Sequence, residues 1–210
     1  MTAVHPGQQR GGVIVIAGPD GAGKSMLSSA LPAAAFGSAP VWLLHHRFRV
    51  LPQRKHEDVD TTRPQEQRPY PPLLSWVKAV ILFVDYQLGW WLRVRPFVGR
   101  GGWVILERGW WDVAVDQHRY RLRSSGWLLR TLGGLLPRPD LVIVLRASAS
   151  TLRSRKAELS LAEFERQLND WTTVLPDTLS RVFIDAGQSA PHVVAAAADS
   201  VRRRAPHSRR

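Results

Sequence analysis

Eight residues constrain this chain more than any others: Gly18-Pro19-Asp20-Gly21-Ala22-Gly23-Lys24-Ser25, which fit G-x-x-x-x-G-K-[ST]. Before them, Val13-Ile14-Val15-Ile16-Ala17 is a short apolar run of the kind that forms a buried strand. After the glycines, Lys24 to Leu31 carries helix formers, and Pro32 is expected to stop the pattern. A strand, a glycine turn and a helix start gather backbone N–H groups and the positive end of a helix around one anion. Glycine is needed there because a Cβ blocks either the bend or the close approach of a phosphate. Lys24 is expected to reach the β- and γ-phosphates, and the Ser25 hydroxyl to bind Mg²⁺. All eight positions, Gly18, Pro19, Asp20, Gly21, Ala22, Gly23, Lys24 and Ser25, therefore form a cradle for a nucleoside triphosphate such as ATP.

The rest of the chain supplies the fold around that loop. With 210 residues there is material for one well-cored domain. It is expected over residues 13–204, after a disordered start (1–12) and before a basic tail (205–210). Four further apolar runs read as strands: Val41-Trp42-Leu43-Leu44, Trp103-Val104-Ile105-Leu106, Leu141-Val142-Ile143-Val144-Leu145, and Arg181 to Ile184. Helical patterns lie between them, including Trp110 to Leu122, Trp127 to Leu136 and an alanine-rich final helix ending near Arg204. Ser148 can cap a helix, and Ser160-Leu161-Ala162-Glu163 is a capping-box pattern. Strands alternating with helices give an α/β class: a five-stranded parallel sheet with helices on both faces, the P-loop NTPase arrangement. Residues 45–72, rich in charge and proline, read as a long surface loop over the substrate side.

Leu73 to Val98 is apolar and long enough to span a bilayer. Asp85 at its middle, Lys78 inside it and Pro96 close to its end argue against a span. The expectation is a buried helix, with membrane-surface contact confined to the Trp90/Trp91 end and a homodimer through the same helix as a further use. Neither a cysteine nor an apolar leader is present in the sequence, so disulfides are excluded and a cytoplasmic location is expected. The net charge of +12 invites a nucleic-acid reading. Against it, the excess is almost all arginine and part of it sits in the tail, so nucleic acid is not expected as the main partner.

Phosphoryl transfer asks for positioning and positive charge. Ligands of such folds sit beyond the carboxyl ends of the strands, where Glu107 and Arg108 follow the third run and His45-His46-Arg47 the second. Glu107 is expected to act as a base or to reach the metal's water shell, giving Ser25 and Glu107 as the metal pair. Arg108 is expected to hold an acceptor's phosphate. Arg153, Arg155 and Lys156 fall in a lid-like segment, 153–160, whose arginines could neutralise the transition state. His118 to Arg123 is either a site for an acidic acceptor or the wet face of a helix. His45 and His46 are adjacent, which suits satisfied or solvated histidines better than a zinc site.

These pieces, in this order, resemble the thymidylate kinase family of P-loop nucleoside-monophosphate kinases. Gly18 to Ser25 is similar to the family's G-x-[DE]-G-x-G-K-[ST] loop, Leu82-Phe83-Val84-Asp85-Tyr86 to its leucine-phenylalanine…aspartate-arginine helix, and Gly102 to Arg108 to its G-x-x-V-x-x-D-R strand. Pro139-Asp140-Leu141-Val142-Ile143-Val144-Leu145 and Ile184-Asp185-Ala186 match the closing segments. The resemblance implies strand order 2-3-1-4-5, ATP and Mg²⁺ as cofactors, catalysis by Lys24, Glu107, Arg108, Arg153 and Arg155, and a role for Asp20 at the acceptor's sugar hydroxyl. It implies a nucleoside monophosphate, dTMP or a relative, as acceptor. Departures cluster on that acceptor side: no R-E-P-G-G-T follows the second strand, Glu107-Arg108-Gly109 replaces aspartate-arginine-tyrosine, and Asp112, Asp116 and Arg119 are unlike the family's pattern. A kinase for a sugar or small metabolite, or a nucleotide-binding module with little turnover, therefore stays open.

Overall fold

The computed structural model describes residues 11–45, 48, 50, 51, 68–123, 126–155 and 160–204. Most of the 45–72 loop, Lys156, the N-terminal ten residues and the tail lie outside them. Five strands, β1 (Gly12–Ala17), β2 (Val41–His45), β3 (Trp103–Glu107), β4 (Leu141–Arg146) and β5 (Arg181–Asp185), form one parallel sheet in the order β2-β3-β1-β4-β5. The strand order expected from the resemblance is the one observed.

Because successive side chains of a strand point to opposite faces, β1 feeds two cores. Val13 and Val15 join one with α2 (Pro72–Gly89), α4 (Trp110–Val115) and α5 (Gly126–Gly134). Ile14 and Ile16 join the other with α1 (Lys24–Ala35), α6 (Ala149–Arg155), α7 (Leu161–Thr173) and α8 (Ala190–Arg204). Leu27 and Leu31 of α1 have no exposed surface, a burial that contributes about 1.5–3 kcal/mol each. That burial, and packing of α1 on α8, carries the helix one turn past Pro32, which does not stop it. The proline costs one backbone bond to Ser28, but Ala33 to Ala35 are strong helix formers.

Two further expectations change. The helix expected over 110–122 ends at Val115. There the Asp116 carboxylate accepts from the Arg119 backbone N–H (3.2 Å), turning the chain into hydrogen-bonded turns through Leu122. The apolar segment is helical from Pro72 to Gly99, as α2, a π-helical turn (Trp90–Val94) and α3 (Arg95–Gly99). It is not a buried helix. Ser75, Ala79, Leu82, Asp85 and Tyr86 face the protein, whereas Leu73, Val77, Ile81 and Leu92 face outward. Inward polar groups bond to the rest of the fold: Asp85 Oδ1 accepts from the Val50 and Leu51 backbone N–H groups (2.8 and 2.9 Å), and Lys78 donates to the Tyr120 carbonyl (2.6 Å). Asp85 thus anchors the chain that follows β2.

Candidate active site

Register along the sheet assembles the site. Ile16, Glu107 and His45 are paired neighbours on β1, β3 and β2, so their side chains share the sheet face that carries α1. Glu107 is therefore aimed at the first turn of α1, and it is buried. One carboxylate oxygen accepts from Ser25 Oγ at 2.7 Å; the other accepts from Ser28 Oγ at 3.2 Å and lies 3.0 Å from His45 Nδ1. The two residues expected to organise a metal are in direct contact. Ser28 completes the group because it lies three residues after Ser25, on the same helix face; the expectation omitted it. His45, read as a satisfied or solvated histidine, is satisfied by Glu107.

The loop itself bends through left-handed backbone at Gly18, Gly21 and Gly23. A Cβ on Gly18 would come within 2.5 Å of the Leu145 carbonyl, so the chain passes β4 only as glycine. Lys24 folds back over the loop, donating to the carbonyls of Gly18 (2.7 Å) and Pro19 (2.8 Å), with Asp20 at 3.5 Å. Burial first, and then the positive charge of Arg108, lower its pKa from 10.5 to about 8.

On the acceptor side Asp20 is gripped by two guanidiniums. Arg108 donates to one oxygen and Arg119 to the other, both at 2.6 Å. Arg108 holds a left-handed backbone conformation (φ 65°), sparsely populated outside glycine and characteristic of functional sites. Of the ambiguous run 118–123, Arg119 thus joins the Asp20 cluster, Tyr120 and Leu122 are core, and Arg121 stacks on Tyr70 (4.3 Å). Asp112, in the first turn of α4, is buried and faces the same cluster. Burial drives its pKa up from 3.8 to about 7, against the pull of Lys24 and Arg108. Its Oδ2 and the Trp171 indole N–H have no hydrogen-bond partner among the described residues. Both line a small cavity of about 10 Å³ shared with Gly18, Asp20, Arg108 and Arg119, room for about one water. Across Val115 lies a wider cleft of about 480 Å³, lined by Gln117, His118, Arg123, Arg130 and Arg166.

The expected lid residues are not brought in. Arg155 donates to the Ala186 carbonyl (2.9 Å), and Arg153 at the end of α6 is exposed. The remainder of that segment, 156–159, is outside the described residues. A separate apolar cavity of about 220 Å³ under Phe48, Tyr86, Trp90 and Trp110 has no P-loop residue in its wall.

The Ser25–Glu107 oxygen pair fits Mg²⁺, a hard cation usually held by one or two carboxylates together with phosphate and water. Among the described residues no group of three or more His, Cys, Asp or Glu could hold a metal ion by itself.

No protein-family model and no curated protein matches this sequence. Among solved structures, the chain is similar to thymidylate kinase from Candida albicans, a kinase of broad substrate specificity. The two are 16% identical, with a TM-score of 0.64 over 92% of each chain. That likeness, with the sheet order, establishes the P-loop NTPase α/β fold in its thymidylate-kinase-like form.

Proposed function

We propose that the protein is an ATP-dependent phosphotransferase that moves the γ-phosphate to a small phosphorylated acceptor, a nucleoside monophosphate before others. The observation that carries this is the 2.7 Å contact between Ser25 of the P-loop and Glu107 at the end of β3. That pairing of a hydroxyl and a carboxylate at the end of the loop supports a cation held beside the triphosphate. When bound, Mg²⁺ supplies neutralisation of the triphosphate's charge. The protein does the rest. Gly18 to Ser25 cradle the triphosphate, and Lys24 turns its ammonium from the loop carbonyls to the phosphates. Ser25 and Glu107 hold the cation, with His45 and Ser28 orienting the carboxylate. Arg108 and Arg119 exchange Asp20 for the acceptor's phosphate, and the freed Asp20 receives an acceptor hydroxyl. Arg153 and Arg155 reach the site only if their segment closes over it, which is the lid role assigned to them. A cytoplasmic location fits the requirement for ATP.

A second reading, a smaller non-nucleotide acceptor such as a sugar or metabolite, or a nucleotide-binding module that turns over little, draws support from the acceptor side. There the cavity beside Asp20 takes about 10 Å³ and both arginines are engaged. ADP release measured with ATP, Mg²⁺ and a panel of nucleoside monophosphates, nucleosides and sugars separates these. Stimulation by a monophosphate supports the first reading, and stimulation by a sugar alone the second. Silence of the whole panel with ATP binding intact leaves the module.

A further inference from the structure

Of the run from His118 to Arg123, the Asp20 cluster takes Arg119 and the core takes Tyr120 and Leu122. His118 and Arg123 remain, and both are exposed. The turn at Asp116 decides where they go. Because α4 stops at Val115, the chain bends away there, and the cleft of about 480 Å³ lies between that turn, α5 and α7. Its volume falls within the ~300–1,000 Å³ of small-molecule sites. Val115, Leu122 and Val174 give it an apolar floor, with His118, Arg123, Arg130 and Arg166 around them. Its wall contains no residue of the P-loop and neither Arg108 nor Arg119. Val115 also lines the small cavity beside Asp20, so the two lie back to back.

The wall is pinned by the fold itself. The Arg123 backbone N–H donates to Ser75 Oγ (2.9 Å) and Lys78 to the Tyr120 carbonyl (2.6 Å), tying the turn to α2. On the other side Arg166 donates to the Val115 carbonyl (3.3 Å) and pairs with Glu163 and Asp170, so its charge is answered within the protein. Arg123 and Arg130 differ. Among the described residues neither pairs with a carboxylate, and the Arg130 guanidinium donates to the Gly126 carbonyl of its own helix (3.2 Å). The acidic residue in the wall, Asp170, is already taken by Arg166. Two unanswered guanidiniums in a concave wall focus positive potential there. A phosphomonoester carries about −1.5 to −2 charges and three strong acceptor oxygens. It matches two guanidiniums in charge and, through their forked N–H groups, in geometry. A single carboxylate answers one of them.

We propose that this cleft is a second ligand site, for a small phosphomonoester with a flat or apolar body: the phosphate on Arg123 and Arg130, the body over Val115, Leu122 and Val174. It stands apart from the P-loop and does not rest on phosphoryl transfer.

Calorimetric titration of the full chain with phenyl phosphate, and with inorganic phosphate beside it, tests this. Wild type should show a phenyl phosphate site that persists in Lys24→Ala/Arg119→Ala, where the loop and the Asp20 cluster are both disarmed. The same site should weaken at least ~10-fold in Arg123→Gln/Arg130→Gln, the loss of at least one charge-assisted contact. Inorganic phosphate, lacking the apolar body, should bind several-fold more weakly than phenyl phosphate. Should Arg123→Gln/Arg130→Gln misfold by circular dichroism, Arg130→Gln alone serves instead, with a several-fold loss expected. The proposal is overturned if wild type shows no site, if the site vanishes with Lys24 and Arg119, if it is indifferent to Arg123 and Arg130 in folded variants, or if inorganic phosphate binds equally well.

Discussion

Replacing Asp112 by asparagine should stabilise the protein at pH 8 and leave it nearly unchanged in acid. The wild-type carboxyl is buried, and its pKa rises from 3.8 unfolded to about 7 folded. Between those values the folded chain keeps a proton that the unfolded chain has released. Wild-type stability therefore falls as pH rises from about 4 to about 7 and is level above that. With about 1.4 kcal/mol per pKa unit, the loss totals about 4 kcal/mol. An amide has nearly the same shape and never ionises. It offers an N–H where a protonated carboxyl offers an O–H, so the two proteins should be close near pH 4. By pH 8 the variant should lead by about 4 kcal/mol, roughly 10 °C in Tm for a domain of this size. Paired thermal melts across that range measure the gap directly, and charges remote from Asp112 cancel between the two proteins. A gap that does not change with pH would refute the reasoning, since it would mean that Asp112 ionises as freely in the fold as outside it.

Lys24→Ala should fold and still lose at least ~100-fold in ATP turnover, because it removes a charge used at the transition state; full activity would remove the loop from the chemistry. ATP affinity, measured by calorimetry, should weaken as pH rises through about 8, where the free protein's Lys24 gives up its proton and an anionic ligand loses its ammonium partner. Arg119→Ala should raise the acceptor KM at least ~10-fold with a smaller change in kcat, since it removes a charge-assisted contact of the kind worth about 1.5–3 kcal/mol; unchanged acceptor kinetics would reduce Arg119 to a partner of Asp20 alone.

Much of this molecule was legible because short-range rules govern it. The loop from Gly18 to Ser25 names its own turn, strand and helix. Glu107 sits at the end of an apolar run, which placed it at a strand terminus and hence beside Ser25. Where tertiary contacts decide, the sequence says less. Leu73 to Val98 is so uniformly apolar that periodicity cannot tell its inner face from its outer one. Two marks were there in Lys78 and Asp85, but they read as interruptions rather than as the side that bonds to Tyr120 and the chain after β2. Arg119 and Asp112 were hidden for a related reason. A helix continued to Leu122 carries Arg119 elsewhere; only the turn at Asp116 returns it to Asp20. Asp112 lies one turn beyond Arg108, yet burial, not spacing, gives it its character.

Asp20 has a consequence beyond holding the loop. Its carboxylate answers Arg108 and Arg119 at once, at 2.6 Å each, so the resting protein carries its own counterion, tethered at an effective concentration that free anions do not match. A passing chloride or a singly charged carboxylate gains little by taking its place. A group must bring two negative charges, or a second contact elsewhere, to evict it. Under the proposed function, discrimination among anions is in this way set by an exchange inside the protein, before any acceptor surface is read.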